Sequence, residues 1–144
     1  MKNKKNKGFS VIEIVLVLGV IGILSSFIVP KVRDYLAMAK DSKAINTLQS
    51  LRMANETYFL ENGNYPKSDN DDLVAILESL NKYIGNDHLI SNGQLDIGGS
   101  KNDQQDIKYG GKINVELDDI KGFKFVPIDG DYKYNTRGDE WSNL

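Results

Sequence analysis

At 144 residues the chain has the length of one domain. It has no cysteine, so a small exported domain here must be held by packing, a metal or assembly in place of disulfides. Its single histidine, His88, has no Ser/Asp or Cys partner pattern around it; no catalytic triad can be assembled, and no enzyme is expected.

Charge is unevenly placed. Lys2, Lys4, Lys5 and Lys7 precede Gly8, and all twenty acidic residues follow it. From Phe9 onward fourteen basic residues face twenty acidic ones, a balance of −6. After Glu13 come sixteen uncharged residues, Ile14 to Val29. Together with Phe9–Glu13 they make about 31 Å of helix at 1.5 Å per residue, about the thickness of a bilayer's hydrocarbon core. Lysines ahead of such a span predict a cytoplasmic N-terminus and an exported remainder.

Glu13 is costly in lipid unless it has a partner. If the chain is cut between Gly8 and Phe9, the new α-amino group lies four residues before Glu13 and is charged at neutral pH. It can pair with Glu13 of its own helix or of a neighbour. Gly22 and Ser26 form a small-xxx-small pair that lets a second helix approach. Pro30 deprives the Ser26 carbonyl of its usual helical donor.

Beyond Pro30, Val32, Tyr35, Leu36, Ala39, Ile45, Leu48, Leu51, Tyr58 and Phe59 recur at mostly helical spacing, interleaved with charges that include Asp41 and Arg52. With no Gly or Pro from Lys31 to Asn62, one helix is predicted over about 9–61, with Gly63 as its C-terminal cap. The run Tyr58-Phe59-Leu60-Glu61-Asn62-Gly63-Asn64-Tyr65-Pro66 ends it.

Lys7-Gly8-Phe9-Ser10-Val11-Ile12-Glu13-Ile14 resembles the class III signal of type IV pilins and type II secretion pseudopilins, and the Asn-Gly-Asn-Tyr-Pro element is similar to that of G-type pseudopilins. The resemblance covers about residues 1–66. It implies a leader, 1–8, removed by a prepilin peptidase, and N-methylation of Phe9. It implies a transmembrane and assembly segment, 9–30, in which Glu13, Gly22 and Pro30 serve polymerisation. The exported domain is then 31–144. The implied fold is α+β and type IV pilin-like, a long N-terminal helix, half in the bilayer, laid on a small antiparallel sheet. The implied partners are the bilayer, other subunits and an inner-membrane assembly platform. The implied destination is a cell-surface or periplasmic filament.

Residues 68–85 read as a short second helix, with Ser68, Asp69 or Asn70 as N-cap and Asp71 and Asp72 in the first turn. Residues 86–105 read as loop, with a short strand at Leu89–Ile90 or Leu95–Ile97. Ile107 and Tyr109 alternate, as do Ile113, Val115 and Leu117; the Gly110-Gly111 pair between them predicts a hairpin. Phe123, Phe125 and Ile128 give another strand with Pro127 near its end. Asp129-Gly130 marks a turn, and Tyr132-Lys133-Tyr134 a last strand. A helix over a small antiparallel sheet follows.

His88 reads as a solvated loop residue, and Gly98-Gly99 lacks the surroundings of a phosphate loop. No cofactor is expected. Calcium is the one metal to weigh, because G-type pseudopilins often bind it in a C-terminal loop. Asp129, Asp131 and Asp139 are the candidates here, against their simpler role as solvated turn carboxylates, and Arg137 opposes a cation. Two functions stand: a structural subunit of a pilus or pseudopilus, or a membrane-anchored, competence-type DNA-binding pilin. The second requires Lys108, Lys112, Lys121, Lys124, Lys133 and Arg137 to line one sheet face.

Overall fold

A computed structural model describes residues 8–67, 72–85, 92–102 and 106–144. The chain divides between Tyr35 and Leu36 into two units. Helix α1, Val11–Asn62, contributes to both. In the first unit, the large apolar side chains from Val11 to Val29 are all 48–82 % exposed. This helix is long and apolar enough to cross a membrane. Pro30 lies inside α1 without ending it. Gly63, at φ 73°, closes the helix by donating its N–H to the Phe59 carbonyl at 2.8 Å, the left-handed stop expected of glycine.

In the second unit, from Leu36, α1 buries Ala37, Asp41, Ala44, Leu48, Leu51 and Ala54. That is a stripe at three- and four-residue spacing. It differs from the stripe read from hydropathy. Leu48 and Leu51 belong to it, but Val32, Tyr35 and Leu36 are exposed. The buried face carries small or hydrogen-bonding residues because the backbone of another segment crosses it, as described next.

Five strands follow: β1 (Gln94–Asp96), β2 (Gly99–Lys101), β3 (Ile107–Tyr109), β4 (Lys112–Asp118) and β5 (Gly122–Pro127). They form an antiparallel sheet β1-β4-β5 and an antiparallel pair β2-β3. Gly110-Gly111 is therefore not a hairpin turn. Gln94 faces Asn114, Gly99 faces Tyr109 and Lys101 faces Ile107 in one unbroken register. Between the two pairings, Ile97 donates to the Gly111 carbonyl and Gly110 to that of Gly98. Residues 94–102 and 106–114 are one long ribbon, bent at Gly98 and Gly110-Gly111; its connection, 103–105, lies outside the described residues.

The glycines are there for the bend. Gly110 and Gly111 have φ of 77° and 128°, a region side chains disfavour. A Cβ on Gly98 would overlap the backbone carbonyl of Ala37 in α1. Gly98→Ala must push the helix off the ribbon and is expected to cost about 3 kcal/mol, the upper end of ordinary overpacking. Denaturant unfolding of the variant checks this; a wild-type midpoint would mean the crossing is loose.

Helix α2, Leu73–Leu80, starts later than expected. Asp72 is its N-cap, in extended conformation, with its carboxylate accepting from Val74 N–H at 3.0 Å. Once that side chain takes the cap, Asp72 cannot also be a first-turn residue. Ser68, Asp69, Asn70 and Asp71 lie outside the described residues, as do His88 and Leu89–Ile90. The alternative strand at Leu95–Ile97 is close to β1. Strand β5 ends at Pro127, leaving Ile128 half exposed. Tyr132–Tyr134 is not a strand: Gly130–Tyr132 is a 3-10 turn, and only Tyr134 bridges, to Glu140. Buried Asn135 sets this path. Its side-chain oxygen accepts from Arg137 and Asp139 N–H, and its amide donates to the Asp139 carboxylate.

The core joins Leu48 and Leu51 of α1, Ile76, Leu77 and Leu80 of α2, Ile113, Val115, Phe123 and Phe125 of the sheet, and Trp141. Trp141 meets Phe125 edge-on at 5.2 Å, a favourable aromatic geometry.

Candidate functional site

Ser10 caps α1. Its hydroxyl accepts from Ile12 N–H at 3.3 Å, and its own N–H donates to the Glu13 carboxylate at 2.7 Å. This is a capping box, in which the third helical residue reaches back to the cap. Glu13, read from sequence as needing a cation, has a partner three residues away in its own chain. The Ser-x-x-Glu spacing was the signal for it. Gly8 and Phe9 are exposed ahead of the cap, Phe9 by 86 %. Gly22 has open space where a side chain would point. Ser26 donates its hydroxyl to the Ile23 carbonyl at 2.6 Å, so it does not replace the donor that Pro30 lacks.

A buried carboxylate of the second unit, Asp41, was missed. Asp41 is 2 % exposed. One carboxylate oxygen accepts from Gly98 N–H at 2.7 Å; the other accepts from the N–H and hydroxyl of Thr136, at 2.8 and 2.7 Å. One side chain therefore ties α1 to the ribbon bend and to the C-terminal loop. The only hint was its place at the centre of an Ala37–Ala44–Leu48 stripe. Arg52 does similar work one face away, donating to the Phe123 and Leu144 carbonyls at 2.9 and 2.8 Å.

Five of the six basic residues proposed for nucleic acid have partners; Lys112 is exposed at the start of β4. Lys108 pairs with Asp131 at 2.9 Å, Lys133 with Glu140 at 3.4 Å and Lys124 with Asp118 at 3.9 Å. Lys121 donates to the Asn143 carbonyl and Arg137 to the Ser42 hydroxyl. Hydrogen bonding to Asp131 raises the Lys108 ammonium above its ordinary pKa, and bonding to Glu140 does the same for Lys133. Three of these charges, Lys108, Lys124 and Lys133, are neutralised locally by carboxylates, which interrupts any basic row along the sheet. Of the calcium candidates, Asp131 is held by Lys108 and Asp139 by Asn135. Among the described residues no three acidic or histidine side chains stand together as metal ligands.

A long apolar N-terminal helix, continued as the packing face of a small antiparallel sheet, is the architecture of the pilin α+β class. About half of the chain is homologous to type IV pilins and type II secretion pseudopilins. It is 35 % identical over 83 residues to the type IV major pilin protein PilE of Neisseria gonorrhoeae, covering 57 % of this chain and 50 % of that one. It is 35 % identical over 68 residues to the type II secretion system core protein G of Vibrio cholerae, 47 % of each chain. It is 33 % identical over 75 residues to that of Escherichia coli, 52 % of this chain and 51 % of that one. The chain spans about half the length of the curated relatives it matches. No family model matches it, and no solved structure matches with significance.

Proposed function

We propose that the chain is a structural subunit of a type IV pilus or a type II secretion pseudopilus. The observation that carries this reading is the exposed apolar first unit, whose sole charge between Phe9 and Val29 is Glu13. Such a surface requires lipid, or other helices like itself, to cover it. The similarity to PilE and to core protein G over about half of the chain supports the same conclusion. The precursor waits in the membrane with Lys2–Lys7 in the cytoplasm. A prepilin peptidase cuts between Gly8 and Phe9, Phe9 is methylated, and the helices then bundle in a filament on an assembly platform.

Cleavage is the first test. Protein recovered from a cell that has a prepilin peptidase should give the mass of Phe9–Leu144 plus one methyl group. A bulky residue at Gly8 should leave it uncut. A mature protein that keeps Met1–Gly8 overturns the reading. Surface or periplasmic filaments labelled by antibody to residues 36–144 then separate a polymer subunit from a lone anchored receptor.

A further inference from the structure

A cavity of about 270 Å³ opens between α1, the segment after it and the β4–β5 turn. All its walls belong to the second unit. Among the described residues three carboxylates line it, Glu56, Asp118 and Asp119, and no Lys, Arg or His. Asp118 is committed to the turn, accepting from Lys121 and Ile120 N–H, which keeps its carboxyl below the usual range, and it also lies 3.9 Å from the Lys124 ammonium. Glu56 accepts only the Tyr65 hydroxyl, at 3.2 Å, and neither it nor Asp119 pairs with a cation among the described residues.

A second, independent feature points inward. Asn55, also lining the cavity, is 8 % exposed. Its side-chain amide makes no hydrogen bond among the described residues. Its polar atoms are not among the fully buried, unpartnered ones of the described residues, which are Arg52 Nη2 and Trp141 Nε1; they open to the cavity and have capacity for a ligand there. Leu117 and Ile120 supply apolar walls, Ile120 standing 93 % exposed at the turn.

We propose that this cavity binds the side chain of a lysine or arginine presented by another polypeptide. The aliphatic stem lies on Leu117 and Ile120, and the cationic head meets Glu56, Asp119 and the Asn55 amide oxygen. Charge complementarity selects this occupant: an anionic side chain meets Glu56 and Asp119, carboxylates with no cation partner among the described residues, and a neutral apolar one leaves Asn55 unpaired. The Tyr65 hydroxyl, held to Glu56, keeps that carboxylate turned toward the site. The proposal does not depend on polymerisation.

The test uses isotopically labelled full-length chain in detergent micelles, titrated with N-acetyl-Gly-Lys-Gly-amide and with versions carrying norleucine or glutamate in place of lysine. The lysine peptide should shift the Asn55 side-chain amide and Gly122 N–H resonances saturably; the other two should not. Glu56→Gln, at an exposed position that should not disturb folding, should weaken binding roughly tenfold, the effect of losing one charge-assisted hydrogen bond. Equal binding of the norleucine peptide, no saturable shift, or an unchanged affinity in Glu56→Gln would each overturn the proposal.

Discussion

Asp41→Ala is expected to lower the stability of the Leu36–Leu144 unit by roughly 3–5 kcal/mol, because it strands two buried backbone N–H groups and a hydroxyl. Domains of this size have only about 5–15 kcal/mol in all, so much of the population should be unfolded in mild denaturant. The loss cannot be assigned to the helix, since alanine is its best former. Asp41→Asn keeps an acceptor and should cost less. Chemical unfolding of the full chain, followed through Trp141 fluorescence, reads the difference. A change within about 0.5 kcal/mol, ordinary for a surface site, would mean that the three hydrogen bonds are made equally well by water.

Replacing Glu13 should abolish filaments without harming insertion. Within a bundle of apolar helices, an unpaired carboxylate and an unpaired N-terminal ammonium are each costly, and their meeting offsets both. It also sets the height at which a subunit docks. The capping box adds a control. Glutamine can serve at the third position of such a box, so Glu13→Gln keeps the helix start while removing the charge; Glu13→Val removes both. If charge pairing drives docking, both variants should be processed and membrane-resident, with filament number down about tenfold or more. If capping alone matters, Glu13→Gln should assemble normally. Normal filament numbers with Glu13→Val as the sole subunit would leave Glu13 as an interfacial charge.

The first helix was legible because its signals are local, a charge-free run and an Asn-Gly stop, although its Ser-x-x-Glu start was not read and the helix begins at Val11, not at Phe9. Strands β4 and β5 were legible by alternation. What sequence periodicity could not reveal was how the strands pair. Gly110-Gly111 has the composition of a turn, and only the crossing of α1 at Gly98 shows that it marks a bend instead. The same crossing explains why Ala37 and Asp41 displace Tyr35 and Leu36 from the buried face. A charge inside an apolar stripe reads as solvated until its partners, Gly98 and Thr136, are brought to it from 57 and 95 residues away. The residues proposed for assembly were named largely through resemblance; the structure shows the Ser10 partner of Glu13 and open space at Gly22.

The hydrogen bonds from Thr136 to Asp41 and from Arg52 to Leu144 close loops of 95 and 92 residues. Closures of that span are entropically expensive and are made late, so folding of this unit should be limited by its topology. Exported domains commonly fix such closures with a covalent sulfur bridge, which ties them to an oxidising compartment and its enzymes. Here the closures are polar and reversible and involve no thiol. The unit should therefore reach the same fold at any thiol–disulfide potential, and its maturation should be indifferent to whether the compartment it enters carries an oxidation system.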